Sequence, residues 1–291
     1  MTDCVQPSHA ASGSPSGRLL LVLMLTATFM LVEAVGGWIS GSLALLADAG
    51  HMLTDVGALG LSLVTAIIGS RPADEFKTYG YRRWEILAAL VNGAALFGIA
   101  GWVVVEAVHR LGDPVPVRAG LLLAIAAGGL VVNLIALRIL HASHDHNLNT
   151  RGAYLHIMGD LLGSVAAMVA GGVIWLTGWT PADPILSICV ALLILVGAWR
   201  LVRESTDILL ESVPAGVSMA DVERRILEVP GVEAVHDLHV WTVTSGLVAM
   251  SGHAVVPELA RHPAALEGIR TAMQGLRIGH VTIQLEVERG C

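Results

Sequence analysis

His51-Met52-Leu53-Thr54-Asp55 and His156-Ile157-Met158-Gly159-Asp160 each place an aspartate four residues after a histidine, in segments apolar enough to cross a membrane. On a helix, positions i and i+4 share a face, so each stretch offers an imidazole nitrogen and a carboxylate to one point. Two such helices side by side supply two nitrogens and two oxygens, a tetrahedral set suited to Zn²⁺. Two aspartates also balance a divalent cation where a bilayer tolerates little net charge. Once in a membrane helix, such a pair is as easily an interhelical hydrogen-bonder as a ligand. Its recurrence at one spacing favours a divalent-metal site.

The elements that must position these residues follow from composition. The chain has 291 residues, of which 54% are hydrophobic and only 14% charged, with a mean hydropathy of +0.70. That is too apolar for a soluble domain of this length, and it indicates a polytopic membrane protein. Apolar runs predict six spans near 18–39, 45–69, 85–109, 119–140, 153–178 and 184–203. The motifs fall in the second and fifth. Residues 1–17 read as a disordered cytosolic tail, and 18–206 as the transmembrane domain. Arg18, Arg71, Lys77, Arg82, Arg83, Arg138, Arg151, Arg200 and Arg203 gather on one side, whereas Arg110 and Arg118 lie on the other. The excess of basic residues places both termini in the cytoplasm. The compactness of the chain suggests a bacterial inner membrane.

Residues 207–291 read as a small cytosolic α+β domain. Ser218 caps a helix that runs to about Glu228 and is ended by Pro230-Gly231. Strands are predicted at Val232–Val243 and Leu247–Val256 around a Ser245-Gly246 turn, then a helix at Pro263–Gly275 and a strand at His280–Val287. The order αββαβ suggests a ferredoxin-like sandwich. Its candidate ligands are His236, His239, His253, His262, His280 and Glu286. His236 and His239, three apart on one strand, face opposite sides unless a bulge intervenes.

Other polar residues are less specific. Asp48 is a proton relay, a partner orienting His51, or structural; Glu33, mid-span, must face the bundle interior. Asn92 and Asn133 read as interhelical hydrogen-bonders. His141, His144 and His146 form a loop that either captures metal weakly or is merely solvated. Gly36-Gly37 and Gly171-Gly172 read as close approaches of helices. Cys4, Cys189 and Cys291 lack the spacing of a disulfide framework or thiolate zinc site. The only lysine, Lys77, follows Phe76, so no Walker A loop exists, and no histidine precedes a glutamate as in a zinc protease. An ATP-driven pump and a metalloprotease are therefore disfavoured, and a net charge of −7 argues against nucleic acid as a partner.

Several phrases together resemble the cation diffusion facilitator family, most closely its zinc-exporting branch. They are Ala47 to Asp55, Tyr79-Gly80-Tyr81-Arg82-Arg83-Trp84-Glu85, His236-Asp237-Leu238-His239-Val240-Trp241 and His280 to Glu286. The resemblance spans nearly all of the chain past residue 17. It implies a homodimeric Zn²⁺/H⁺ antiporter working by alternating access, without ATP or catalysis, with His51, Asp55, His156 and Asp160 as the transport site. It also implies that a histidine at position 51 goes with zinc, with Cd²⁺ and Co²⁺ as further cargoes. In the cytosolic domain it implies regulatory zinc at His239, His253, His280 and Glu286, with His236 as an alternate. Lys77 and Tyr81 stand where some members carry histidines, so a loop site at Asp74 is expected to be missing. Arg83 with Asp207 is the corresponding charge interlock. The competing readings are a broader divalent-metal exporter, a membrane-tethered zinc sensor, and an intramembrane metalloenzyme. The last needs an open coordination position that a saturated His₂Asp₂ set lacks.

Overall fold

A computed structural model describes residues 17–69, 73–141 and 148–288. The N-terminal tail, Arg71, and His144 and His146 of the histidine loop lie outside the described residues.

Six long apolar helices come first: α1 Gly17–Ser40, α2 Leu43–Gly69, α3 Trp84–Gly112, α4 Ala119–His141, α5 Leu148–Thr177 and α6 Ala182–Leu209. Four of them contain described stretches long and apolar enough to cross a membrane, namely α3, α4, α5 and α6. In α1 and α2 the corresponding stretches, Met24–Ser40 and Leu43–Thr54, are shorter. Predicted and observed helices agree closely, although α6 continues past Arg203 to Leu209 and α5 begins earlier, at Leu148. Exposed Trp38, Trp175 and Trp179 mark the same ends of α1 and α5, as aromatic residues do at a membrane interface.

The chain divides into two compact bodies. One comprises the chain through Gly57 with Ala95–Ala198, and the other Ala58–Ala94 with Trp199 onward. In the first, α4 packs against both α1 and α5. A side chain at Gly36 would collide with Ile125, and one at Gly171 would meet Leu123 at 2.9 Å, so both glycines permit close helix approach. Gly172 faces open space instead. Ala44, Leu45, Leu122, Ala126, Ala167 and Ile174 form one buried cluster there.

In the second body the order after α6 is α7 Met219–Leu227, β1 Ala234–Thr244, β2 Leu247–Val255, α8 His262–Gln274 and β3 His280–Glu286. Ser218 accepts the Asp221 amide hydrogen as expected of an N-cap, and Gly231 leaves the helix with a φ of 95°. The sheet order is β1-β2-β3, with β1 antiparallel and β3 parallel to β2. Gly246, at φ 79°, makes the hairpin turn.

The register divides the sheet into two faces. Val240, Met250 and Ala254 pack with Val222 and Ile226 of α7 and Ile269 and Met273 of α8 to form the core, helped by Val281, Ile283 and Leu285. A cross-strand partner shares its neighbour's face, and so does every second residue. The opposite face therefore carries His236, His253, Gln284 and Glu286. His239 joins them because β1 has a bulge between His236 and His239, which pair with His253 and Ser251. Asp237 sits in that bulge with a φ of 50°, a left-handed conformation that aspartate tolerates better than most residues.

Candidate metal sites

The membrane motif residues lie in the first body, His51 and Asp55 on α2 and His156 and Asp160 on α5. His51 Nε2 is 3.9 Å from Asp160 Oδ1. The structure thus brings a nitrogen of one motif to an oxygen of the other, with Asp160 fully buried and His51 about one-quarter exposed. The side chains of Asp55 and His156 lie outside the described residues. Asp48, one turn before His51, is buried, as are Thr54, Asn133 and Ser164. Thr54 donates its hydroxyl hydrogen to the His51 carbonyl at 2.6 Å.

What starts α2 at Leu43 is a residue that sequence reasoning missed. Asp183, at the head of α6 and completely buried, accepts hydrogen bonds from the backbone of Leu43 (2.7 Å) and Ala44 (3.3 Å) and from the Ser42 hydroxyl (2.6 Å). Those donors belong to the unsatisfied first turn of a helix. Asp183 is a cap supplied from a distant helix, and nothing near residue 42 in the sequence points to it. Arg110 donates to the Gly41 carbonyl at 2.6 Å and to Glu106 at 2.8 Å.

In the second body, His236, His253 and Glu286 each offer a ligand atom, all within 4.8 Å of one another. Glu286 bridges the pair, Oε2 lying 3.0 Å from His236 Nε2 and Oε1 2.8 Å from His253 Nδ1. The imidazole rings meet edge-on at 5.1 Å. Two imidazole nitrogens and a carboxylate oxygen, half-buried on the sheet face opposite the core, are the donors a zinc ion takes. The donor set fits.

Two expected ligands stand apart from this cluster. His239 Nε2 lies 3.0 Å from Asp237 Oδ1, and Asp237 Oδ2 is 3.9 Å from His253 Nε2, so His239 reaches the cluster only through the bulge aspartate. His280, at the far end of β3, stacks edge-on against Tyr79 with centroids 5.9 Å apart. His236, the alternate, occupies the cluster instead. His262 bonds to the Val256 carbonyl at 2.8 Å.

The loop before α3 departs from expectation too. Arg83 pairs with Glu211 at 2.8 Å, while Asp207 faces Arg203 at 3.8 Å. Glu85, in the first turn of α3, accepts from Thr244 (2.8 Å) and Ser245 (2.9 Å) at the hairpin tip. Asp74 accepts from the Tyr81 hydroxyl at 2.8 Å. That bond and the Lys77 amide hold its carboxyl below the usual carboxylate range.

The comparisons decide the family. Residues 19–210 match the cation efflux transmembrane domain, and residues 214–288 match the cytoplasmic domain of cation efflux proteins. The chain is a cation efflux protein. It is accordingly a membrane transporter and not an enzyme. This cation efflux protein is 47% identical to the zinc transporter ZitB of Escherichia coli over 97% of its own length and 90% of that protein's. It is 42% identical to the cadmium, cobalt and zinc/H⁺-K⁺ antiporter of Bacillus subtilis over 95% and 90% respectively. A solved metal-bound C-terminal domain of the CzcD transporter from Cuprividus metallidurans is 40% identical, covering 24% of this chain and 99% of that one, with a TM-score of 0.22.

Proposed function

We propose that the protein exports Zn²⁺ from the cytoplasm in exchange for protons, by alternating access through His51, Asp55, His156 and Asp160. The observation that carries this reading is the approach of His51 to Asp160 across two helices. Here a buried carboxylate meets an imidazole in a setting where ionisable groups are costly. The cargo reading rests on that donor set and on the zinc transporter that the chain resembles at 47% identity. The name of the Bacillus subtilis relative supports Cd²⁺ and Co²⁺ as further cargoes.

In this cycle all six helices span an inner membrane, both termini are cytoplasmic, and residues 18–206 form the transport domain. Facing inward, the site holds neutral histidines and ionised aspartates, and the metal exchanges its water for four protein ligands. Facing outward, protons compete for the same atoms and release it, since ligands must be deprotonated to bind. Residues 207–291, a ferredoxin-like unit, pair two copies and bind regulatory zinc. His236, His253 and Glu286 hold that zinc, with Asp237 and His239 beside them.

Zinc flux into proteoliposomes under an imposed pH gradient tests the reading. The native chain is expected to follow the gradient, and Asp160→Ala to lose flux while remaining folded. Undiminished flux in Asp160→Ala would remove Asp160 from the pathway. Native flux indifferent to pH would remove proton coupling.

A further inference from the structure

Glu33 sits about two-thirds of the way along α1, is 1% exposed, and belongs to neither motif. Its Oε2 has no hydrogen-bond partner among the described residues. The groups facing it come from three helices. Its Oε1 and the Ser164 hydroxyl of α5 both lie against the bare α-carbon of Gly129 on α4, 3.0 and 2.9 Å from where a β-carbon would stand. Asn133, one turn along α4, donates to Ser164 at 3.3 Å, and its own buried Oδ1 has no partner among the described residues. Asp48 of α2 fills the space over Gly163, next to Ser164. Among the described residues, the charges that bear on Glu33 include Asp48 and Asp160, both acidic, and His51 Nε2 lies 3.9 Å from Asp160.

A carboxylate buried among acidic neighbours is costly as an anion. The arrival of a divalent cation beside Asp160 reverses that balance, because a nearby positive charge favours the ionised form. We propose that Glu33 carries an exchanged proton at a position separate from the metal's own ligands. On metal entry its O–H bond breaks, the electron pair stays on the oxygen, and the proton passes to water. On metal exit a proton from water restores the acid. Glycine at 129 leaves the room for this carboxyl, and Asn133 and Ser164 supply the polar wall. The inference rests on the proton-exchange reading given above.

The test uses the full chain. In detergent, a pH indicator counts the protons released per zinc bound by the native protein, Glu33→Gln and Glu33→Asp; protons from the cytosolic cluster cancel in the comparison. Glu33→Gln should release about one proton fewer per zinc, and Glu33→Asp should restore the native count. In proteoliposomes, the ratio of pH-driven zinc uptake to zinc–zinc exchange should fall by roughly tenfold or more in Glu33→Gln. An unchanged proton count in Glu33→Gln would overturn the proposal. So would equal loss of zinc exchange in Glu33→Gln and Glu33→Asp, which marks a packing role. A native protein whose uptake ignores pH would instead remove proton exchange itself, and the role of Glu33 with it.

Discussion

Replacing Asp183 tests how the membrane site is held in place. Among the described residues, its carboxylate is the acceptor for the Leu43 and Ala44 amides and the Ser42 hydroxyl, all inside a buried contact. Asp183→Ala strands these donors away from water, at about 1–3 kcal/mol for each unmet buried group. The loss is therefore on the order of 3–9 kcal/mol, a large share of what a typical fold retains. Asp183→Asn keeps one acceptor oxygen but turns an amide donor toward the other hydrogen, so about half of that loss is expected. Because α2 carries His51 and Asp55, the same variants should weaken zinc binding at the membrane site without touching a ligand. Thermal unfolding in detergent, followed by tryptophan fluorescence, reads the first effect, and zinc titration of the surviving folded protein reads the second. Native stability in Asp183→Ala would refute the capping argument. Lost binding at native stability would mean instead that Asp183 acts on the ion directly.

Three further outcomes follow from the geometry. His236→Ala and Glu286→Gln should each remove zinc from the cytosolic cluster of the full chain, whereas His280→Ala should leave it bound; equal losses in all three, by zinc titration, would contradict the cluster. Tyr81→Phe should raise the Asp74 carboxyl toward its ordinary value, as read by NMR titration. The contribution of Asp74 to holding the loop is complete above the ordinary carboxylate pKa of about 3.9 and disappears as pH falls through its lowered value. No movement in Tyr81→Phe would show that the hydroxyl is not the main cause. His51→Asp should broaden transport toward Cd²⁺, measured as competition against zinc flux, because an all-oxygen donor at that position relaxes the preference for an imidazole. An unchanged preference would exclude His51 as the selector.

Much of this architecture was legible from pattern alone. Span length and turn chemistry located the helices, the Ser218 cap and the Gly246 turn, because bilayer thickness and backbone sterics leave few choices. Cross-chain geometry was not legible. The placement of His236 beside His253 depends on register, and the return of His239 to their face depends on a bulge at Asp237, an ordinary residue with no glycine to announce it. Two histidines three apart share a face only across a bulge, and β1 has one. Asp183 reaches α2 across 140 residues, and Glu85 reaches the hairpin tip across 159. Neither has a local signature. The sequence points Arg83 to Asp207, whereas the structure pairs it with Glu211, a partner with no local signature.

The central claim is that the two His-x-x-x-Asp motifs jointly hold the transported ion. Zinc K-edge absorption on the full chain, with the cytosolic cluster removed by His236→Ala, His253→Ala and Glu286→Gln, tests it most directly. The account predicts a four-coordinate zinc with two imidazole nitrogens and two oxygens at about 2.0–2.2 Å, abolished by adding Asp160→Ala. Zinc bound with the same spectrum after Asp160→Ala would contradict it.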